Sequence, residues 1–184
     1  MDCLYGGLEV IAAVGKQLFG AVQQLGGTLP HPLRETFLIR SIGLRKIPLV
    51  FFCSPEVLEL SSERTIIKIP LNYRTKNHLD AMYFGVIAVA ADITGGLAAY
   101  KVIRESGREV SLVFKDFKAD FIKRIEGDAT FTCADGVAIQ EFMQKVLESD
   151  IRENMPVRVE ARVPELLGDE VVGRFELTLS CRAR

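Results

Sequence analysis

The sequence predicts an α+β fold in which a curved antiparallel sheet wraps around one long apolar helix, with a helical extension ahead of it. Three observations predict it. Residues 81–100 form an apolar run whose only charge is Asp92. Two segments near the C-terminus alternate cleanly: Val157, Val159, Ala161 and Val163 against Arg158, Glu160 and Arg162, then Phe175, Leu177, Leu179 and Cys181 against charged or polar neighbours. Such period-2 patterns mark strands with one buried and one wet face. Two further strand-like segments, 110–121 and 129–133, flank the turn Glu126-Gly127-Asp128. A sheet with that buried face can cover a helix that is apolar nearly all round.

The elements follow in order. Residues 8–25 keep a helical period through Leu8, Ile11, Leu18, Phe19, Val22 and Leu25, and Gly26-Gly27 then Pro30 end it. A short helix is expected from Pro32 to about Ile42. Residues 1–45 therefore read as a helical arm packed over a main domain of residues 46–184. Leu49, Phe51 and Cys53 suggest a first strand. Ile67, Ile69, Leu71 and Tyr73 alternate with polar neighbours as a second, placed near an edge by Pro70, which cannot donate to a ladder. The long helix covers 81–100. Asp135-Gly136 is expected to cap an amphipathic helix with Val137, Phe142, Val146 and Leu147 inward and Glu141 and Lys145 paired outward.

Composition narrows the function. A length of 184 residues, 48% hydrophobic, suits one domain with a real core. A net charge of −1 gives no bulk attraction for nucleic acid or an anionic membrane. Cys3, Cys53, Cys133 and Cys181 are scattered, which argues against a disulfide framework or a metal site and fits a reducing, cytoplasmic setting. The run 81–100 approaches the ~20 residues of a membrane span. Asp92 near its centre, Gly95-Gly96 and the strand-like flanks count against that reading.

Asp92 is the residue that asks for a reason, because a carboxylate among apolar groups is costly unless partnered, solvated or protonated. Large residues (Met82, Val86, Val89, Ile93, Leu97, Tyr100) form one stripe of the helix. Ala81, Gly85, Ala88, Asp92, Gly95 and Ala99 form another whose members, the acid apart, are tiny. That second stripe admits another backbone, or a flat substrate, beside one acid.

The order of elements and the local motifs resemble the hotdog fold of acyl-CoA thioesterases, in its phenylacetyl-CoA thioesterase-like branch. The stretch Asn77-His78-Leu79-Asp80-Ala81-Met82-Tyr83-Phe84-Gly85, with Asp92 nine residues beyond Tyr83, is similar to that branch's loop asparagine, His-Gly-Gly and catalytic acid. Gly85 matches the second glycine and Asp92 the acid, while Tyr83 and Phe84 stand where the branch has histidine and glycine. Residues 110–121 through Glu126-Gly127-Asp128 resemble its strand and Gly-Asp turn. The resemblance implies a hydrolase of acyl-CoA or acyl-carrier thioesters, with coenzyme A as part of the substrate and no cofactor or metal. It also implies a homodimer, or a tetramer built from it, with sites shared between subunits.

The chemistry needs an activated water and a donor that polarises the carbonyl. Asp92 suits the first as base or nucleophile, and the Gly85 N–H at the helix N-terminus suits the second. Seven residues of helix separate them by ~10 Å, so one copy cannot bring both to one carbonyl and a second must supply the other. Asn77 is a candidate for holding water or carbonyl, against a turn-forming role. Tyr83, Phe84 and His78 are candidates for the pocket wall, although His78 reads more readily as a loop residue. Arg74, Lys76, Lys123 and Arg124 are candidates for the phosphates of coenzyme A, against a solvated charged surface. The alternative function is a non-catalytic acyl-CoA or fatty-acyl sensor on the same fold. A dehydratase is disfavoured because the helix carries no histidine.

Overall fold

The computed structural model describes residues 31–184. The helix expected over 8–25 lies outside the described residues. Helices α1 (His31–Lys46) and α2 (Pro48–Phe52) precede strands β1 (Glu56–Leu60) and β2 (Thr65–Ile69). The long helix α3 (Phe84–Ser106) leads to β3 (Val110–Phe121) and β4 (Ala129–Cys133), then α4 (Gly136–Glu148), β5 (Glu153–Arg162), the short α5 (Pro164–Leu167) and β6 (Val171–Ala183). The six strands form one sheet in the order β1-β2-β4-β5-β6-β3, with every adjacent pair antiparallel.

Helix α3 starts where two loop bonds fix the entering chain: Met82 N–H donates to the Ile125 carbonyl and Tyr83 N–H to that of Thr75, both at 2.8 Å. It ends at Gly107, whose φ of 66° is the left-handed C-cap that glycine adopts at little cost. The helix is long and apolar enough to cross a membrane by length and composition, yet most of it is buried inside the protein. It lies on the sheet because Gly95 lacks a side chain: a Cβ there would sit 3.1 Å from Val157 Cγ2. The small-residue stripe is thus divided. Gly95 meets the protein's own sheet and Ala99 is fully buried, while Asp92 shares its side of the helix with Gly96, Tyr100 and Ile103.

The core beneath α3 is built from the inner faces of β2, β4, β5 and β6 together with Ile139, Met143 and Val146 of α4. Phe131, fully buried on β4, anchors it against Phe175 at a ring distance of 6.1 Å. Phe131→Ala is expected to cost about 3–5 kcal/mol, because it leaves a large cavity in a site closed on all sides. Urea unfolding with an unchanged slope and a lowered midpoint checks this. Cys53, Cys133 and Cys181 are free and buried, and burial pushes the thiols of Cys133 and Cys181 up to about 11.

Several local expectations are corrected. Residues 49–52 belong to a helix, α2, which Pro48 opens and Cys53 caps, its N–H bonding back to the Leu49 carbonyl at 3.2 Å. The first strand is β1 instead. The second strand stops at Ile69, and Leu71 N–H is taken by the Asp128 carboxylate at 2.8 Å. On α4 the buried residues are Ile139, Met143 and Val146, while Val137 is exposed. Lys145 pairs with Glu153 at 3.0 Å, not with Glu141. Asp135 holds the N-cap position without capping, since its carboxylate accepts from Arg158 N–H at 2.8 Å.

The two sheet edges differ. At β1, the Thr36 hydroxyl of α1 accepts from Val57 N–H at 2.8 Å, so α1 closes that edge. At β3, no described element pairs with the outer side of a 12-residue strand. Its register shifts between Phe114 and Phe117, which face Leu179 and Leu177 on β6: an extra residue makes a β-bulge.

Candidate functional site

Asp92 sits on α3, half-buried, at a point where α1 and α2 stand off from the helix. It lines a cavity of about 280 Å³ with Ile39, Val50, Ile93, Leu97, Tyr100 and Phe114 among its walls. Gly96, one turn further on, leaves room for the Phe114 ring, which would lie 3.4 Å from an added Cβ. Among the described residues the Asp92 carboxyl has no hydrogen-bond donor and no cation beside it. Burial alone acts on it, raising its pKa above the ordinary 3.8. A proton acceptor more basic than usual, open to a greasy cavity, is what this geometry provides.

A second groove, of about 320 Å³, lies at the N-terminal end of α3. Asn77, Phe84, Lys123 and Arg124 line it together with Met82 and Phe121. Four of the residues singled out from sequence therefore meet there, but Asp92 does not. The two cavities share no lining residue.

The remaining candidates are placed as follows. Tyr83 is the N-cap of α3 with no side-chain capping bond. The first helical N–H groups, including that of Gly85, have no acceptor within the helix. The Tyr83 ring covers Gly85, where a Cβ would lie 2.6 Å from it, and packs edge-on against Phe84 with ring centres 5.2 Å apart. The Asn77 side-chain oxygen accepts from Leu79 and Ala81 N–H at 2.8 and 3.3 Å, so it builds the turn in which Asp80 adopts a φ of 58°. His78 is exposed on that turn. Arg74 donates to the Ser54 hydroxyl at 2.6 Å and lies over the Phe52 ring at 5.6 Å, tying α2 to the loop. Lys76 pairs with Asp80, and Lys123 with Glu170 at 2.7 Å. Arg124 has no partner among the described residues.

Sequence reasoning did not find the helical roof of the Asp92 cavity, made by Ile39, Ile42, Ile47 and Val50. A signal was present: positions 92, 96, 100 and 103 share one side of a helix.

A six-stranded antiparallel sheet in this order around one long buried helix is the hotdog fold. No protein-family model matches the sequence, and no curated protein matches it. Solved structures share the architecture. A Chlorobaculum tepidum protein of unknown function superposes with a TM-score of 0.70 at 12% identity, covering 83% of this chain and 97% of its own. A Pseudomonas aeruginosa protein described as a probable thioesterase gives 0.63 at 19% identity, covering 85% and 97%. A Haemophilus influenzae thioesterase gives 0.56 at 17% identity, covering 73% and 82%. At these identities the likeness is one of fold.

Proposed function

We propose that the protein hydrolyses an acyl-CoA or acyl-carrier thioester and does so as a homodimer. The observation that carries this reading is Asp92: an unpartnered carboxyl, made more basic by burial, facing an apolar cavity on the central helix of a fold shared with thioesterases. In the reaction Asp92 takes a proton from water as its oxygen bonds to the thioester carbonyl carbon. The tetrahedral oxyanion is held by the Gly85 N–H of a second copy, with the helix dipole behind it. The C–S bond then breaks, and the proton on Asp92 passes to the leaving thiolate. The acid and free thiol depart.

The second copy is supported by the uncovered edge of β3. Val113, Phe117, Phe121 and Ile122 at that edge are 41–54% exposed. Lys115, Asp116, Lys118 and Asp120 interrupt this strand, but its exposed apolar residues leave a surface that another chain can cover. Covering it brings a second α3 beside the first, which is how the groove at one helix N-terminus meets the other helix's acid.

A second reading is favoured by one observation: nothing among the described residues orients the Asp92 carboxyl, as a reaction would require. On that reading the cavity binds an acyl chain without cleaving it. Incubating the full-length protein with a panel of short to long acyl-CoAs and a thiol reagent separates the two. Thiol release above the spontaneous rate is the expected result. Acyl-CoA binding with no release by any chain length overturns the hydrolase.

A further inference from the structure

A third and larger cavity, of about 580 Å³, adjoins the one that holds Asp92. The two share Lys46, Tyr100, Ile103, Val110 and Leu112, so they lie side by side along α3. Their character differs. Around Asp92 the walls are apolar except for Lys46, which stands between the two parts, whereas the far end carries Arg104, Arg108 and Arg184, with Glu109 the one acid in its lining. Arg108 donates to the Leu147 carbonyl on α4. The side chains of Lys46, Arg104 and Arg184 have no partner among the described residues. Lys46 and Arg104 stand in the last turns of α1 and α3, so the negative ends of two helix dipoles offset part of this charge. At about half a unit per helix end, roughly two positive charges remain after Glu109 is counted. A solvated surface disperses such charges; here they converge on the mouth of an apolar channel.

We infer that this basic vestibule binds an anionic group on the ligand whose apolar chain fills the channel leading to Asp92. Asp92 and Arg104 lie twelve residues apart on one helix, a rise of ~18 Å. A zigzag chain of ~1.5 Å C–C bonds, advancing ~1.25 Å per bond, spans that distance with roughly fourteen carbons. The ligand class is thus a linear, largely apolar chain with a phosphate or carboxylate well removed from the reacting carbonyl. Two sources can present an anion at that distance: an acid group at the far end of the acyl chain, or a phosphate on the thiol carrier, whose amide-bearing arm would then lie in the channel. The position of the thioester rests on the hydrolase reading, but the anion site does not.

Calorimetry with the full-length protein tests the site apart from catalysis, using decyl phosphate and decanoate against decanol. Decyl phosphate is expected to bind more tightly than decanol. Arg104→Gln should weaken it about tenfold, as for loss of one charge-assisted contact, Arg104→Glu should weaken it further, and decanol binding should not change. Lys46→Gln, on a different helix, should act in the same direction and guards against a folding defect peculiar to α3. Kinetics then separate the sources. If Arg104→Glu raises KM for acyl-CoA but not for the acyl-pantetheine that lacks phosphates, the vestibule reads the carrier. If it raises KM only for acyl groups bearing a terminal carboxylate, the vestibule reads the chain end. Charge-dependent binding without turnover of any thioester keeps the site and removes the hydrolase. Failure of the wild type to bind decyl phosphate, as when a second copy or another part of the polypeptide fills the channel, overturns the proposal. So does equal binding of decyl phosphate by wild type and Arg104→Glu.

Discussion

Asp92→Asn is expected to lower kcat for thioester hydrolysis by about 10²–10⁴-fold, the usual contribution of a positioned base, while making the protein more stable. The two effects share one cause. Burial holds the carboxyl above its ordinary pKa of 3.8 because the charged form is poorly solvated there. Between 3.8 and that raised value the folded protein binds more protons than the unfolded chain, so wild-type stability falls as pH rises through the window. Above the window the deficit is complete. Asparagine keeps the shape and removes the charge. The variant should therefore match wild type below the window and exceed it at neutral pH by about 0.5–2 kcal/mol, the scale on which relieving a functional position stabilises a fold. Thermal unfolding of both proteins from acid to neutral pH reads the divergence directly. A neutral-pH variant no more stable than wild type would mean that the carboxylate is satisfied in the folded protein. The acid limb of kcat/KM should likewise sit above 3.8, since free-enzyme titration of the base sets it.

Breaking the β3 edge is the second large effect. Val113→Lys combined with Phe117→Lys places positive charge on both faces of the strand, the device by which natural sheets refuse a neighbour. Wild type should sediment as a dimer, and the double variant as a monomer with an unchanged circular dichroism spectrum. Activity should fall to the level of Asp92→Asn, because each Asp92 then lacks the second copy's helix N-terminus. Phe117 also stacks on Phe175 within the chain, with ring centres 6.0 Å apart, so Val113→Lys alone serves as the control that spares this contact. A monomeric variant with wild-type turnover would place the whole site within one chain. Mixing inactive Asp92→Asn with a separately inactivated Gly85→Val chain supplies the converse: hybrid dimers should regain one working site.

Much of this was readable from residue order. Period-2 alternation located β5 and β6, because a strand with one wet face must write its burial into the sequence, and the Glu126-Gly127-Asp128 turn located β3 and β4 on either side of it. The apolar run with one acid located the central helix and its one costly residue. Short-range features were less legible. Residues 49–53 are apolar in a pattern that suits strand or helix over five positions, and Pro48 decides for the helix only once α1 is there to pack against. The α4 face was misjudged at Val137, which is exposed, since the helix turns Ile139, Met143 and Val146 inward.

The candidate site divides along the same line. Sequence alone determined that a lone carboxylate sits on a greasy helix wrapped by strands, since hydrophobic pattern and charge are properties of composition along the chain. Only the tertiary structure decided what that carboxylate faces. Gly95 turned out to serve the protein's own sheet, while α1, α2 and β3, distant in sequence, line a cavity with Asp92 that adjoins a cluster of arginines. Cavities and charge clusters arise where separate elements fail to fill space or converge on it, and no spacing within a single segment encodes that.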